Sequence, residues 1–130
     1  MKRRIALTAA LLLGTVMPGH AAAGSGRCAQ YEQLLTTYAP RGGWNVAKMS
    51  RIMFRESRCA ADAVNRKGRD TGLLQAHPIT WRFLSTKFGV PMTDIQTWLK
   101  VPANNVRAGA ALCEFWRTAG RGCYLPWVVR

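Results

Sequence analysis

Beyond its first two dozen residues the sequence has a single histidine, His77, and no cysteine pair at Cys-x-x-Cys spacing. That argues against a zinc centre, and no metal or other cofactor is expected. Carboxylates are scarce too: six Asp and Glu stand against 19 Lys and Arg. Few acidic side chains remain from which to assemble a catalytic pair. No apolar run reaches the roughly 20 residues of a membrane-spanning helix; Ile5 to Met17 covers 13. Internal repeats, low-complexity tracts and interdomain linkers are missing, which leaves no sign of a solenoid or a second domain. Alternating β-branched runs are rare, so a sheet-based fold is disfavoured.

What is present begins with a leader. Lys2-Arg3-Arg4 precede the apolar run, and Pro18, Gly19 and Ala21-Ala22-Ala23 follow it, the layout of a secretory signal peptide. Residues 1–23 are expected to be removed after Ala23. One domain of 107 residues, 24–130, would remain, enough for a modest core. The destination is exported: periplasm, cell wall or medium. All four cysteines, Cys28, Cys59, Cys113 and Cys123, lie in that domain, and an even count in a small exported protein favours two disulfides. Three pairings are open, with Cys28–Cys123, which ties the ends, preferred. The domain keeps 16 basic and six acidic residues, a field that attracts polyanions and also aids solubility. For an exported chain these are anionic wall polymers before nucleic acid, and no stable membrane insertion is expected once the leader is gone. A monomer is expected.

Helical spacing dominates the domain. Tyr31, Leu34, Leu35 and Tyr38 predict a helix over 28–38, stopped by Pro40 and Gly42-Gly43. A second is predicted over 44–57. Residues 60–71 read as a loop, with an extra helical turn at 60–64 as an option. Pro78 opens a third helix that runs to Phe88 and ends at Gly89. Short 94–100 and longer 103–118 complete a mainly α architecture with short helices around one core, and a small hairpin near Gly68 to Leu74 as a possible addition. The small residues Ala108-Gly109-Ala110-Ala111 suit a close helix approach, expected from the second helix. Trp81 and Trp98 read as core.

On the second helix, each residue turns about 100° from the last. Glu56 then falls within the sector of Met49, Ile52 and Met53, with Lys48, Arg51 and Arg55 opposite. Poor solvation there favours the neutral acid, as does the nearby helix C-terminus. A carboxylic acid that keeps its proton near neutral pH can deliver it to a glycosidic oxygen. The alternative is a structural glutamate satisfied by an arginine from elsewhere, such as Arg82 or Arg107.

Three separated blocks sharpen this: Phe54-Arg55-Glu56-Ser57-Arg58-Cys59 with Ala63-Val64-Asn65, then Thr71-Gly72-Leu73-Leu74-Gln75, then Asn105-Val106-Arg107-Ala108-Gly109. Together they resemble the lysozyme-like superfamily, specifically the soluble lytic transglycosylase domains of small secreted bacterial or phage members. The resemblance spans Cys28 to Trp127. It implies a small lysozyme-like helical fold that cleaves peptidoglycan glycan strands, with Glu56 as acid/base, Ser57 beside the substrate and Gln75 lining the cleft. Gln75 bonded to local backbone is the competing reading. Asn105 reads as stabilising the start of its helix. Tyr124-Leu125-Pro126-Trp127 is similar to the Gly-Trp-x-Pro-Trp endings of the group. Tyr124 is a candidate sugar contact, and Trp127 a closing plug. The family's late Ala-x-x-Ala-Tyr-Asn segment has no match here, and Tyr124 is at best a displaced substitute for its tyrosine.

Hydrolysis of a glycoside normally takes two carboxylates. A transglycosylase needs one, which protonates the bond and then, as base, helps the muramic 6-hydroxyl close a 1,6-anhydro ring. Asp70, on a glycine-containing loop before Gly72, is the candidate second carboxylate; a solvated residue or partner of Arg69 is its other reading. Scarcity of carboxylates favours the one-glutamate lyase over goose-type hydrolysis. A non-catalytic wall-binding domain and a cationic antibacterial protein are the other classes. The second gives Glu56 no purpose.

Overall fold

The computed structural model describes residues 27–128, so the expected leader lies outside the described residues. Among these the chain is mainly α-helical: α1 (Glu32–Gly42), α2 (Val46–Ser57), α3 (Trp81–Phe88), α4 (Ile95–Leu99), α5 (Pro102–Thr118) and α6 (Leu125–Val128). Short 3₁₀ turns at Ala29–Tyr31 and Pro78–Thr80 lead into α1 and α3. The possible hairpin at 68–74 is absent. Instead, Thr71 makes isolated antiparallel bridges to Val64 and to Ala76. Each segment is too short to extend a ladder. Residues 60–64 form turns rather than an extra helical turn.

Helix α1 does not stop at Pro40; it runs through it to Gly42. The proline forfeits only the bond to Thr36 four residues back, and Thr36 is exposed, so that carbonyl is left to solvent. Gly43, at φ 66°, closes the helix with its N–H on Ala39 O. Gly42 is needed for another reason: a Cβ there would lie 2.4 Å from the Trp44 ring. That ring is buried, and its Nε1 donates to Leu35 O at 3.0 Å. Asn45 then starts α2 by accepting from Lys48 N at 2.9 Å, a standard N-cap.

With so short a connection, α2 returns antiparallel beside α1. Residue 28, before α1, therefore meets residue 59, after α2. The disulfides are Cys28–Cys59 and Cys113–Cys123, not the expected Cys28–Cys123. The chain reverses after α5, which returns Cys123 to α5 itself.

Helix α5 carries the core. Val106, Ala110 and Cys113 face a cluster with Leu35, Met49, Met53, Leu73 and Trp127, while Ala108 and Leu112 face a second one with Trp81, Leu84, Ile95 and Leu99. Trp98 packs on the edge of the second. The principal neighbour of α5 is α1. Its small-residue stretch receives a loop side chain rather than α2: a Cβ on Gly109 would sit 2.5 Å from Leu74 Cδ1.

Candidate functional site

Helix α2 delivers Glu56 and Ser57 at its last turn. Ser57 is buried, and its Oγ donates back to Met53 O at 3.0 Å. The two following residues, Arg58 and Cys59, both take left-handed backbone, φ 55° and 65°, which non-glycine residues adopt at a cost of about 1–2 kcal/mol each. The Cys28–Cys59 disulfide and the Arg58 N–H on Phe54 O hold this turn.

The Glu56 side chain is only 10% exposed, as its place in the apolar sector predicts. The expectation that its own helix supplies no cation is overturned. Arg55 Nη2 and Nε donate to Glu56 Oε1 at 2.8 and 3.2 Å. Neighbours on a helix diverge by about 100° at Cβ, but the long arginine stem folds across that angle. It does so because a second acceptor waits there: Arg55 Nη2 also donates to Trp127 O, in α6. Among the described residues Glu56 pairs with Arg55 rather than with Arg82 or Arg107. The latter stacks on Phe88.

The segment Thr71–Ala76 is clamped by α5. Asn105, buried inside α5, accepts from Leu74 N at 2.8 Å and donates to Thr71 O and Leu99 O at 3.0 and 2.9 Å. It clamps this segment and does not cap the start of α5, where Val101 is the N-cap. Gly72, at φ 83°, fits against it so closely that a Cβ would meet Asn105 Nδ2 at 2.0 Å. Gln75 follows in left-handed backbone, φ 49°. Its Nε2 donates to Gly72 O at 2.9 Å and Ala63 O at 3.2 Å, so the amide nitrogen braces the loop.

A pocket of about 200 Å³ opens beside this segment, with Gln75, His77, Ile79, Trp116, Pro126 and Trp127 in its wall. Glu56 is not among the residues that line it. The carboxylate is connected to the pocket through Arg55 and Trp127, whose carbonyl takes the guanidinium and whose ring closes one side. Trp127 is a buried plug, with Nε1 donating to Leu74 O at 2.8 Å. Tyr124 is elsewhere: its hydroxyl accepts from Asn45 N at 2.8 Å, and Lys48 Nζ lies 3.8 Å from its ring centroid. That is the opposite end of α2, about 16 Å from Glu56 at 1.5 Å per residue.

Asp70 is buried rather than solvated on a loose loop, with Oδ1 3.9 Å from His77 Nε2. His77 Nδ1 accepts from Ile79 N at 3.1 Å. Arg69 turns away from Asp70 to lie over Trp81. Hydrogen bonds therefore run from Glu56 through Arg55 to Trp127, and from Trp127 to Leu74 beside Gln75, whereas Tyr124 lies at the other end of α2.

Arg55 and Asn105 are the residues whose part the sequence reading missed. A signal existed for Asn105: Asn104-Asn105 stands inside a helix of good formers, where asparagine is disfavoured unless its amide is used. For Arg55 the signal was its place beside Glu56. Among the described residues no group of three or more metal-binding side chains converges, and no helix is long and apolar enough to cross a membrane. Two disulfides fit an oxidising compartment. Comparison with protein-family models, curated proteins and solved structures finds no match to this chain.

Proposed function

We propose that this protein cleaves the β-1,4 bond between muramic acid and glucosamine residues of peptidoglycan, without water, through Glu56. The observation that carries the reading is a carboxyl group 10% exposed at the end of α2, linked by one guanidinium to a pocket wall that contains Gln75. Such a carboxyl suits proton delivery to a glycosidic oxygen in a partly dry site.

The steps balance with one residue. Protonated Glu56 gives its proton to the bridging oxygen as the bond to the muramic C1 breaks. The resulting carboxylate takes the proton of the muramic 6-hydroxyl as O6 bonds to C1, which closes a 1,6-anhydro ring and restores the acid. Arg55 donates to Glu56 Oε1, which steadies the carboxyl group in the second half. In the first half an arriving glycan displaces it from Oε1, and Trp127 O keeps it near. Asp70, facing His77 from a buried position, has no step in this scheme.

The same ion pair favours a second reading, a wall-binding domain in which Glu56 is purely structural. One experiment separates them. Glu56→Gln is expected to abolish release of glycan fragments from purified sacculi while the melting transition and sacculus binding persist. Unchanged release sinks the catalytic reading. Mass spectrometry of wild-type products is expected to show anhydro ends, lighter by one water than the reducing ends that hydrolysis leaves.

A further inference from the structure

Arg27 and Arg58 stand immediately before the two half-cystines of one disulfide, Cys28–Cys59. That bond brings the two arginines together although 30 residues lie between them in the chain. Both guanidinium groups lie over the ring of Phe54, at 4.8 and 4.7 Å from its centroid. Cys59 Sγ also contacts Arg27 O at 3.4 Å. Both arginines are exposed, as is Arg51, one helical turn before Phe54 on α2. Among the described residues none of the three is in an ion pair with a carboxylate.

The three like charges repel one another. A covalent bond and a stacked ring nevertheless hold two of them in place, which lowers the ordering cost of binding an anion there. The location is distinct from the candidate catalytic group: Phe54 and Glu56, two residues apart, point about 200° apart around the helix. Guanidinium forks suit phosphate oxygens, and several along one face suit a repeating anion. The Phe54 ring packs on the core and is covered by guanidinium groups, so it offers no open face for stacking a nucleobase and no apolar wedge for a bilayer. A flexible phosphodiester chain without bases fits best.

We infer that Arg27, Arg58 and Arg51 around Phe54 form a preorganised docking site for an anionic wall polymer of the poly(alditol phosphate) type. The choice of polymer rests on the wall reading above; the site does not depend on the chemistry of Glu56.

The test is a binding titration of the disulfide-intact protein against poly(glycerol phosphate), a charge-matched single-stranded oligonucleotide, and phosphatidylglycerol vesicles. Arg27→Gln with Arg58→Gln is expected to weaken poly(glycerol phosphate) binding about tenfold or more at physiological salt. Arg82→Gln with Lys100→Gln removes the same charge elsewhere and is expected to change it less than about twofold. Arg27→Lys with Arg58→Lys, which keeps charge but loses the fork, is expected to fall between, and covers the case in which the glutamine pair fails to fold. Equal losses from the two glutamine pairs, tighter binding of the oligonucleotide or the vesicles, or no saturable binding of the polymer would each overturn the site. Glu56→Gln is expected to bind the polymer like wild type. Should wild type release no glycan and still show this pattern, the catalytic reading falls and the docking site stands.

Discussion

Gly72 is the residue on which the arrangement behind the pocket turns. Its left-handed φ and its contact with Asn105 leave no room for a side chain. Gly72→Ala is expected to lower the unfolding free energy by about 3 kcal/mol or more, strain and overpacking combined. Gly89 has a similar φ of 64° but open space around it, so Gly89→Ala is expected to cost only about 1–2 kcal/mol. Urea denaturation of the two variants measures the difference; equal losses would mean that the Asn105 clamp contributes nothing. The group that fills the space a side chain would need at Gly72 comes from Asn105. The partner is an amide 33 positions further along, and no local pattern encodes a contact of that range.

At the level of elements, Glu114 joins three helices. Its Oε2 lies 3.2 Å from Arg41 Nε at the end of α1 and 3.7 Å from Lys87 Nζ on α3. The hydrogen bond from Arg41, helped by the charges of Arg41, Lys87 and Arg117, holds the Glu114 carboxyl below its ordinary range. A carboxyl lowered by folding stabilises the fold above the ordinary carboxylate range, and that contribution is lost as pH falls through the lowered value. Wild type is therefore expected to melt slightly higher than Glu114→Gln at neutral pH, the gap closing in strong acid. The exposed setting keeps it small. A gap that persists at low pH would point to packing instead of charge. The helices themselves were largely legible: Pro78 and Gly89 bound the third predicted helix close to the observed 3₁₀ turn and α3. The passage of α1 through Pro40 was not, because it depends on which carbonyl faces solvent.

For the molecule as a whole, the two disulfides close loops of different length, with separations of 31 and 10 residues. Chain entropy then gives about 4 kcal/mol for Cys28–Cys59 and about 3 kcal/mol for Cys113–Cys123. Replacing each pair by serine is expected to rank the stabilities in that order by thermal or urea unfolding. The first replacement also frees the left-handed turn behind Glu56 and unpins Arg27 from Arg58, so glycan release and polymer binding are expected to fall with it. A variant of the shorter loop that is the less stable of the two would contradict the ranking.

Composition and periodicity by themselves determined a small, basic, mainly helical domain with paired cysteines, and placed Glu56 in an apolar sector. Those are properties of single residues and of the turn-by-turn geometry of a helix, which the chain carries locally. Tertiary structure alone decided which cysteines pair, that Asn105 clamps Gly72, that Tyr124 sits at the far end of α2, and that Arg55 reaches both Glu56 and Trp127. Each joins groups brought together by the return of one helix beside another. Even the Arg55–Glu56 pair, adjacent in the chain, has a geometry fixed by a carbonyl 72 residues away.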